Sequence, residues 1–552
     1  VIVLRLDNIT FSHPDGLVLE SLSWAIQNDD KLGLVGPNGS GKSTILKLLT
    51  SELSPDSGFV FAAKGVTVGY LPQEINLDPP KAVLAEALTA STRLAELEAA
   101  LQEIEVSLAD PAVYGNEDTL AQTLDRQARL LEEYEAAGGL SYEKTVKATL
   151  RQLGFADADF ELATNVLSGG QKKMLVLAKL VVNQPSVLLL DEPDNHLDLA
   201  GKSLLEQFIH CYAGAVIIVS HDRYLLDEVV DGIVELEGGK LDFYPGNYST
   251  YVTEKELGRL RQAQKYAAQQ KEIVRLEAAI ARFELWASLV VDERHIKQAR
   301  NKRRQIDQMD KVDKPFERKN MNLQLNGWRG SDKVLEIIDL LKAFGNDLIL
   351  ADINLTLWHG QRVGLIGPNG SGKSVLFRCI TGQEEPTEGV IKIGPSVKMG
   401  IYTQEHQNLD YNKNLVETVR EVKPMYEDQA IAFLGKFLFP YQKAKTQTVG
   451  SLSGGECSRL QMALLMLQEP NFLLLDEPTN NLDIQSAEVL EQTLDDFNGT
   501  VLVISHDRYF LDKVVDKVVE LNPNQGALIE YLGGYTDYLV SKTEFCINLN
   551  DQ

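Results

Sequence analysis

Two stretches of this chain have the residue types and spacing to hold a phosphate chain. The first runs Gly36, Pro37, Asn38, Gly39, Ser40, Gly41, Lys42, Ser43, Thr44; the second runs Gly367, Pro368, Asn369, Gly370, Ser371, Gly372, Lys373, Ser374, Val375. Glycines so placed let backbone N–H groups close around phosphate oxygens, and a helix opening at the lysine adds positive potential. Lys42 and Lys373 are spaced to reach the outer phosphates of a nucleotide, and Ser43 and Ser374 to ligate Mg²⁺. One such match could be a glycine-rich turn. Two in one chain make that reading negligible.

Downstream, the apolar runs 187–190 and 472–475 read as buried parallel strands, and each ends in an acidic pair, Asp191-Glu192 and Asp476-Glu477. An aspartate at a strand's carboxyl end can hold Mg²⁺ through water, and the next glutamate can orient or deprotonate an attacking water. A lone acidic pair there is as often a helix cap. Recurrence of the pair downstream of a nucleotide loop favours the catalytic reading. His221 and His506, each behind an apolar strand and a serine, are the matching candidates for a γ-phosphate contact.

These groups repeat at two spacings. The loops, with Gln73 and Gln404, lie 331 residues apart, whereas Leu167-Ser-Gly-Gly-Gln and Leu452-Ser-Gly-Gly-Glu, the acidic pairs and the histidines lie 285 apart. The chain is therefore two copies of one domain, the first carrying about 46 extra residues. That insertion falls within 86–143, where Leu94, Leu97, Leu101, Ile104 and Leu108 follow helical spacing. Pro111, Gly115 and Asn116 break it, and Leu120, Leu124, Leu131 and Tyr134 predict a returning helix. The expected product is an acidic helical hairpin with 13 acidic and 3 basic residues.

Between the copies, Ile273, Leu276, Ile280 and Phe283 predict one helix and Ile296, Ala299, Ile306 and Met309 another, with a break near 288–293. Residues 255–319 hold 17 basic and 10 acidic side chains, including Arg294, Lys297, Arg300, Lys302, Arg303 and Arg304 without an intervening carboxylate. That run suits RNA phosphates at close range, against the plainer reading of a solvated helix face. The expected division is an α/β first domain at 1–250 with its arm, a helical-hairpin linker at 251–328, an α/β second domain at 329–545 and a tail at 546–552.

Together, the phosphate loop, Gln73, LSGGQ, Asp-Glu-Pro and the histidine motif resemble an ATP-binding-cassette nucleotide-binding domain, present twice. Two cassettes with an arm in the first and a basic helical linker are similar to the ABC-F class of ribosome-associated ATPases; the DEPxNxLD runs 191–198 and 476–483 strengthen the likeness. The resemblance implies ATP with Mg²⁺ in a head-to-tail sandwich within one monomer. Site one would join Lys42, Ser43, Gln73, Asp191, Glu192 and His221 with Ser453, Gly454, Gly455 and Glu456. Site two would join Lys373, Ser374, Gln404, Asp476, Glu477 and His506 with Ser168, Gly169, Gly170 and Gln171. Gln73 and Gln404 would reach the metal, and His13 and Phe344 would be adenine platforms. Asp194 stands where this family usually has Thr, and Asn481 where it usually has His; neither change removes a phosphate or metal ligand.

The resemblance further implies a linker that meets ribosomal and transfer RNA near the exit site, so the function expected is ATP-dependent regulation or rescue of translation. The acidic arm would be repelled by RNA and is expected to meet a basic ribosomal protein. An antibiotic-resistance ribosome protector would carry a longer interdomain tip, and a transporter motor would not need a basic linker. A DNA-repair ATPase of the zinc-bearing class would need cysteine pairs. Cys211, Cys379, Cys457 and Cys546 form no CxxC pair, which suits a reducing cytoplasm. With 54 basic and 79 acidic residues the net charge is −25, so contact with RNA has to be local. No run of about 18 apolar residues predicts a membrane span, and Val1-Ile2-Val3-Leu4-Arg5 does not resemble a signal peptide.

Overall fold

The structure is a computed structural model that describes residues 1–13, 16–77, 79–109, 117–289, 293–309, 325, 327–345, 347–403, 409–480, 482–522 and 528–550. It divides into two compact units, one formed by residues 1–243 with 320–552 and the other by 244–319.

In the first unit each copy is built around a six-stranded sheet. In the first copy the strands run in the order Val68–Leu71, Val187–Asp191, Ala215–Val219, Lys31–Val35, Gly232–Glu237, Lys240–Pro245. The first five are parallel, with Asp191 paired to Val219 and Leu34 to Val219 in register. Val187–Asp191 and Ala215–Val219 are buried at every residue, which is why both read as continuous apolar runs rather than alternating ones. A three-stranded antiparallel sheet, ordered Gly16–Gln27, Ile2–His13, Ser57–Ala62, forms a second layer. The helix Lys42–Leu49 packs Ile45, Leu46, Leu48 and Leu49 into a core that contains Leu4, Leu6, Leu189 and Ile217. Each such buried aliphatic side chain stabilises the fold by about 1.5–3 kcal/mol.

The second copy repeats the plan, with Met399–Tyr402, Phe472–Asp476, Thr500–Ile504, Arg362–Ile366, Lys517–Leu521 and Leu528–Leu532 in that order. The functional consequence is topological. Neighbouring parallel strands end on one edge of the sheet, so the segments that leave their carboxyl ends lie side by side. These segments carry Gln73, then Asp191-Glu192, then His221, then the loop 36–42.

The insertion in the first copy forms helices Thr92–Leu108 and Glu117–Ala136, joined by Tyr134 Oη donating to Glu98 Oε1 at 2.7 Å. Leu94, Leu97 and Ile104 are buried as the periodicity predicts. The returning helix is rotated from the predicted face, with Leu124 and Leu131 at 47 % and 43 % exposure. Leu120 and Tyr134 are half-buried as predicted, but the stripe between them runs through Thr123, Gln127 and Leu130. Two polar members hid this stripe from a search for apolar periodicity. Pro111, Gly115 and Asn116 lie outside the described residues.

The second unit contains helices Tyr248–Leu289 and Glu293–Asp307. Asn247 caps the first, its Oδ1 accepting from Thr250 N at 3.2 Å. Leu276, Ile280 and Ala299 are buried, while Ile296 is 50 % exposed despite its predicted place on that face. Arg303 Nη2 donates across the hairpin to Glu284 Oε1 at 2.6 Å. The unit starts and ends earlier than the linker span 251–328, and the helix Tyr535–Asn550 runs into the tail expected from 546.

Candidate functional site

Both phosphate loops leave a strand and open a helix. Gly41 and Gly372 cap those helices at φ 102° and 97°, a left-handed conformation that favours glycine. A Cβ on Gly36 or Gly367 would lie 2.4 or 2.7 Å from the carbonyl oxygen of Leu236 or Leu521, so close backbone approach also requires glycine. Lys42 Nζ folds over its own loop, donating to Gly36 O at 2.8 Å and Pro37 O at 3.1 Å. Lys373 does the same to Gly367 O and Pro368 O, both at 2.8 Å. The loop carbonyls thus hold the ammonium over the loop, and burial lowers the pKa of both lysines.

Beside each loop stands an acidic corner. Glu192 and Glu477 both sit at φ 49°, a left-handed turn that non-glycine residues adopt at a cost of about 1–3 kcal/mol. The turn follows a strand directly, since Glu192 N still donates to Val219 O at 2.7 Å and Glu477 N to Ile504 O at 2.9 Å. It brings each carboxylate to 3.7 Å from a histidine Nε2, Glu192 to His221 and Glu477 to His506. Gln73 Nε2 donates to Glu192 Oε2 at 2.8 Å; Gln404 and Asn481 lie outside the described residues. Ser43 hydrogen-bonds the Asp191 carboxylate, which also accepts from Tyr70 Oη at 3.4 Å.

Among the described residues, buried polar atoms without a hydrogen-bond partner concentrate here: Ser40 Oγ, Asp191 Oδ1, both ring nitrogens of His221, Ser371 Oγ, Glu477 Oε1 and His506 Nδ1. Such groups are costly unless something polar meets them, and their clustering marks a binding site for a polar ligand. Burial, then Lys42, lowers His221 to about 4; burial, then Lys373, lowers His506 to about 3. Both imidazoles are therefore neutral at physiological pH. Burial and Asp476 push Glu477 up to about 8, and burial also raises Glu192.

The copies face each other. A cavity of about 630 Å³ is lined by Lys373, Ser374, Val375, Phe344, Asp476, Glu477 and His506 of the second copy and by Ser168 and Gly169 of the first. The head-to-tail juxtaposition expected for site two is present in that lining. Asn369 N donates to Asp198 Oδ2 at 3.1 Å across the interface, and Asn38 N–H donates to Asp483 in the mirror contact. Gln171 and Glu456 turn back to cap the helices that Ser168 and Ser453 begin, with Ser168 N donating to Gln171 Oε1 at 3.0 Å and Ser453 N to Glu456 Oε2 at 3.1 Å. Phe344 stands beneath Lys342, whose Nζ lies 4.7 Å from the ring centre. His13 is exposed at a strand end, edge-on to Phe11 at 5.2 Å.

Sequence reading missed the clasp that joins the copies. Arg223 forms a bidentate pair with Glu491, both buried, and its guanidinium lies 4.1 Å from the Tyr509 ring centre. Arg508 Nη1 donates to Glu206 Oε1 at 2.7 Å, and the centre of its guanidinium lies 4.6 Å from the Tyr224 ring centre. Each arginine follows its histidine by two positions, and that matched spacing was the one available signal. Also missed were Asn195, whose Nδ2 donates to Glu192 Oε2, and the buried Lys173 and Lys202.

Comparison with known proteins agrees with this geometry. A family model described as ABC transporter matches residues 19–195 and 350–480, and a second of the same description matches 234–325. The putative ATP-binding protein YdiF of Bacillus subtilis is 37% identical over 99% of this chain and 83% of its own length. ABC transporter F family member 5 of Arabidopsis thaliana is 34% identical over 97% and 77%. The energy-dependent translational throttle protein EttA of Escherichia coli K12 is 34% identical over 95% and 93%. Among solved structures, the archaeal ribosome recycling factor aABCE1 in complex with the ribosomal stalk protein aP1 superposes with a TM-score of 0.61. At 19% identity over 97% of this chain and 92% of that one, this likeness speaks for the fold alone. With two nucleotide-type corners facing each other across one interface and relatives aligned along nearly their whole length, the chain belongs to the ABC-F family of tandem ATP-binding-cassette ATPases and hydrolyses ATP.

Proposed function

We propose that the protein is a cytoplasmic translation factor that binds the ribosome near the tRNA exit site when ATP closes its cassettes, and leaves after hydrolysis. In this reading the loops 36–44 and 367–375 bind the phosphates of ATP. Mg²⁺ fits beside Ser43 and Asp191, because a buried carboxylate oxygen without a partner stands next to a hydroxyl there. Ser374 and Asp476 are the matching donors in the second site, with Gln73 and Gln404 completing each donor set. When bound, the ion would neutralise phosphate charge.

Glu192 and Glu477 orient the attacking water and accept its proton; a cation held by Asp476 would offset the charge that raises Glu477 and favour its carboxylate form. His221 and His506, held neutral, present one ring nitrogen to the γ-phosphate. Ser168-Gly169-Gly170 and Ser453-Gly454-Gly455 close the opposite face at helix N-termini. His13 and Phe344 are the candidate adenine platforms, and the lining of the cavity by Phe344 supports the second.

The observation that carries the ribosomal reading is the helix Glu293–Asp307, on which Lys297, Arg300 and Arg304 are exposed. Arg294 belongs to the same helix; Lys302 leans on Gln305 at 3.1 Å and Arg303 on Glu284. Support also comes from a relative named as a translational throttle. The acidic arm suits a basic ribosomal protein.

The test is ribosome co-sedimentation of a Glu192→Gln/Glu477→Gln protein in ATP at two salt concentrations. The informative charge reversals are Lys297→Glu, Arg300→Glu and Arg304→Glu together, a set that spares the Arg303–Glu284 pair. That triple variant should lose binding by about tenfold or more and show a shallower salt dependence. Unchanged binding would return the linker to a solvated spacer.

A further inference from the structure

At the constant spacing of 285, the buried and half-buried polar groups beside the two histidines match: Ser220 with Ser505, Asp222 with Asp507, Arg223 with Arg508, Glu206 with Glu491. Three buried charges break the match together. Lys173, Asp194 and Lys202 of the first cassette correspond to Ser458, Thr479 and Ala487 of the second. The three charged side chains are 4 %, 6 % and 7 % exposed. Charges buried this deeply persist only when they satisfy one another, so the exchange of all three for neutral residues marks one unit.

The contacts of that unit reach beyond its own cassette. Lys202 Nζ donates to Asp222 Oδ2 at 2.7 Å and to the backbone carbonyl of His506 at 2.9 Å. Asp194 accepts from Ser220 Oγ at 2.7 Å. Lys173 Nζ donates to the backbone carbonyl of Glu192. The His506 carbonyl belongs to the turn between the strand Thr500–Ile504 and the helix Arg508–Val514, which also sets where its imidazole stands against Glu477. The corresponding position in the second cassette is Ala487, a side chain with no donor to offer the carbonyl of His221.

We propose that Lys202 of the first cassette is a positioning residue for His506 of the second site, so that hydrolysis at site two depends on the interior of the first cassette, whereas the position matching Lys202 in the second cassette, Ala487, offers site one no bond in return. The proposal rests on the assignment of Glu192, Glu477 and His506 to catalysis. The two cassettes share their motifs and their reciprocal arginine and aspartate contacts, but the bond to a histidine carbonyl runs in one direction.

The experiment measures ATP turnover in two backgrounds, Glu192→Gln, which leaves site two working, and Glu477→Gln, which leaves site one. Adding Lys202→Met should lower kcat about tenfold in the first background with KM changed less than about twofold, because a displaced catalytic group loses rate rather than ground-state binding. The loss in the second background should be at least about fivefold smaller. Lys202→Arg, which keeps a donor, should restore part of the rate. Should Lys202→Met strand Asp194 and Asp222 and fail to fold, the neutral exchange Asp194→Thr/Lys202→Ala repeats the measurement with the second cassette's own residues and should give the same site-two loss. Equal losses in both backgrounds, a change in KM alone, or no loss overturns the proposal. If Glu477→Gln by itself leaves total turnover unchanged, the catalytic assignment fails instead, which is a separate result.

Discussion

The hydrolytic corners of the two cassettes share one strand-end plan and differ in what holds the glutamate. Glu192 Oε2 accepts from Gln73 at 2.8 Å, whose counterpart Gln404 lies outside the described residues, and from the side chain of Asn195, whose counterpart Asn480 makes, among the described residues, only a backbone bond to Glu477. Glu477 Oε2 accepts from the backbone N–H of His506 at 3.2 Å, and its Oε1, 3.7 Å from His506 Nε2, has no hydrogen-bond partner among the described residues. Glu477, pushed up to about 8 by burial and Asp476, is the more deeply shielded of the two. A duplicated motif thus carries the reacting groups into both copies, while the surrounding shell diverges. The same contrast marks the clasp: Arg223 is paired twice with Glu491, whereas Nε and Nη2 of Arg508 have no hydrogen-bond partner among the described residues.

The largest effect expected from this contrast is on cassette association. Arg223→Ala leaves the fully buried Glu491 with, among the described residues, the half-exposed Lys513 at 3.1 Å for compensation, and breaking such a pair costs about 3 kcal/mol or more. Arg508→Ala should cost distinctly less, because that arginine is already half-satisfied. Urea denaturation of both variants decides it; equal losses would show that the clasp is energetically symmetric.

Next in size is catalysis. Glu192→Gln/Glu477→Gln keeps shape and hydrogen bonding while removing the carboxylates, so ATP should still bind and turnover should fall about 10²-fold or more. Wild-type turnover by the double variant would remove both glutamates from the mechanism. Lys42→Ala/Lys373→Ala should instead weaken nucleotide binding, read by equilibrium titration.

The smallest expected effect is on stability at mild acid pH. His221 and His506 resist protonation down to about 4 and about 3 in the folded protein, whereas in the unfolded chain they gain protons near pH 6.5. The unfolded state then binds more protons at these groups, so their contribution to folding stability falls as pH drops below about 6.5. Glu477, raised from about 4.5 to about 8, acts in the opposite sense over this window, so the histidine contribution is read as a difference: His221→Gln/His506→Gln should lose less, or gain more, melting temperature than the wild type between about pH 7 and about pH 5. An unchanged slope in the double variant would assign the acid sensitivity to other groups.

Reading the chain by itself recovers whatever is carried by residue type at a fixed spacing. Glycines that admit a left-handed turn, a lysine and a serine one position apart, an acidic pair ending an apolar run and a repeated Ser-Gly-Gly were all visible because short-range geometry demands them. The two-copy architecture followed from their offsets, and the arm from the change in offset. The clasp Arg223–Glu491, the bond from Lys202 to the carbonyl of His506 and the pairing of Asn195 with Glu192 are another kind of fact. Arginine, glutamate, lysine and asparagine occur throughout any polar surface, and nothing local separates a buried pair from a solvated one. Partners 268 or 304 residues apart meet only because parallel strands deliver their ends to one edge and the two edges face each other. The arm shows the same limit at short range: hydrophobic spacing located the returning helix, but Thr123 and Gln127 on its packed face left its rotation to be settled by the neighbouring helix.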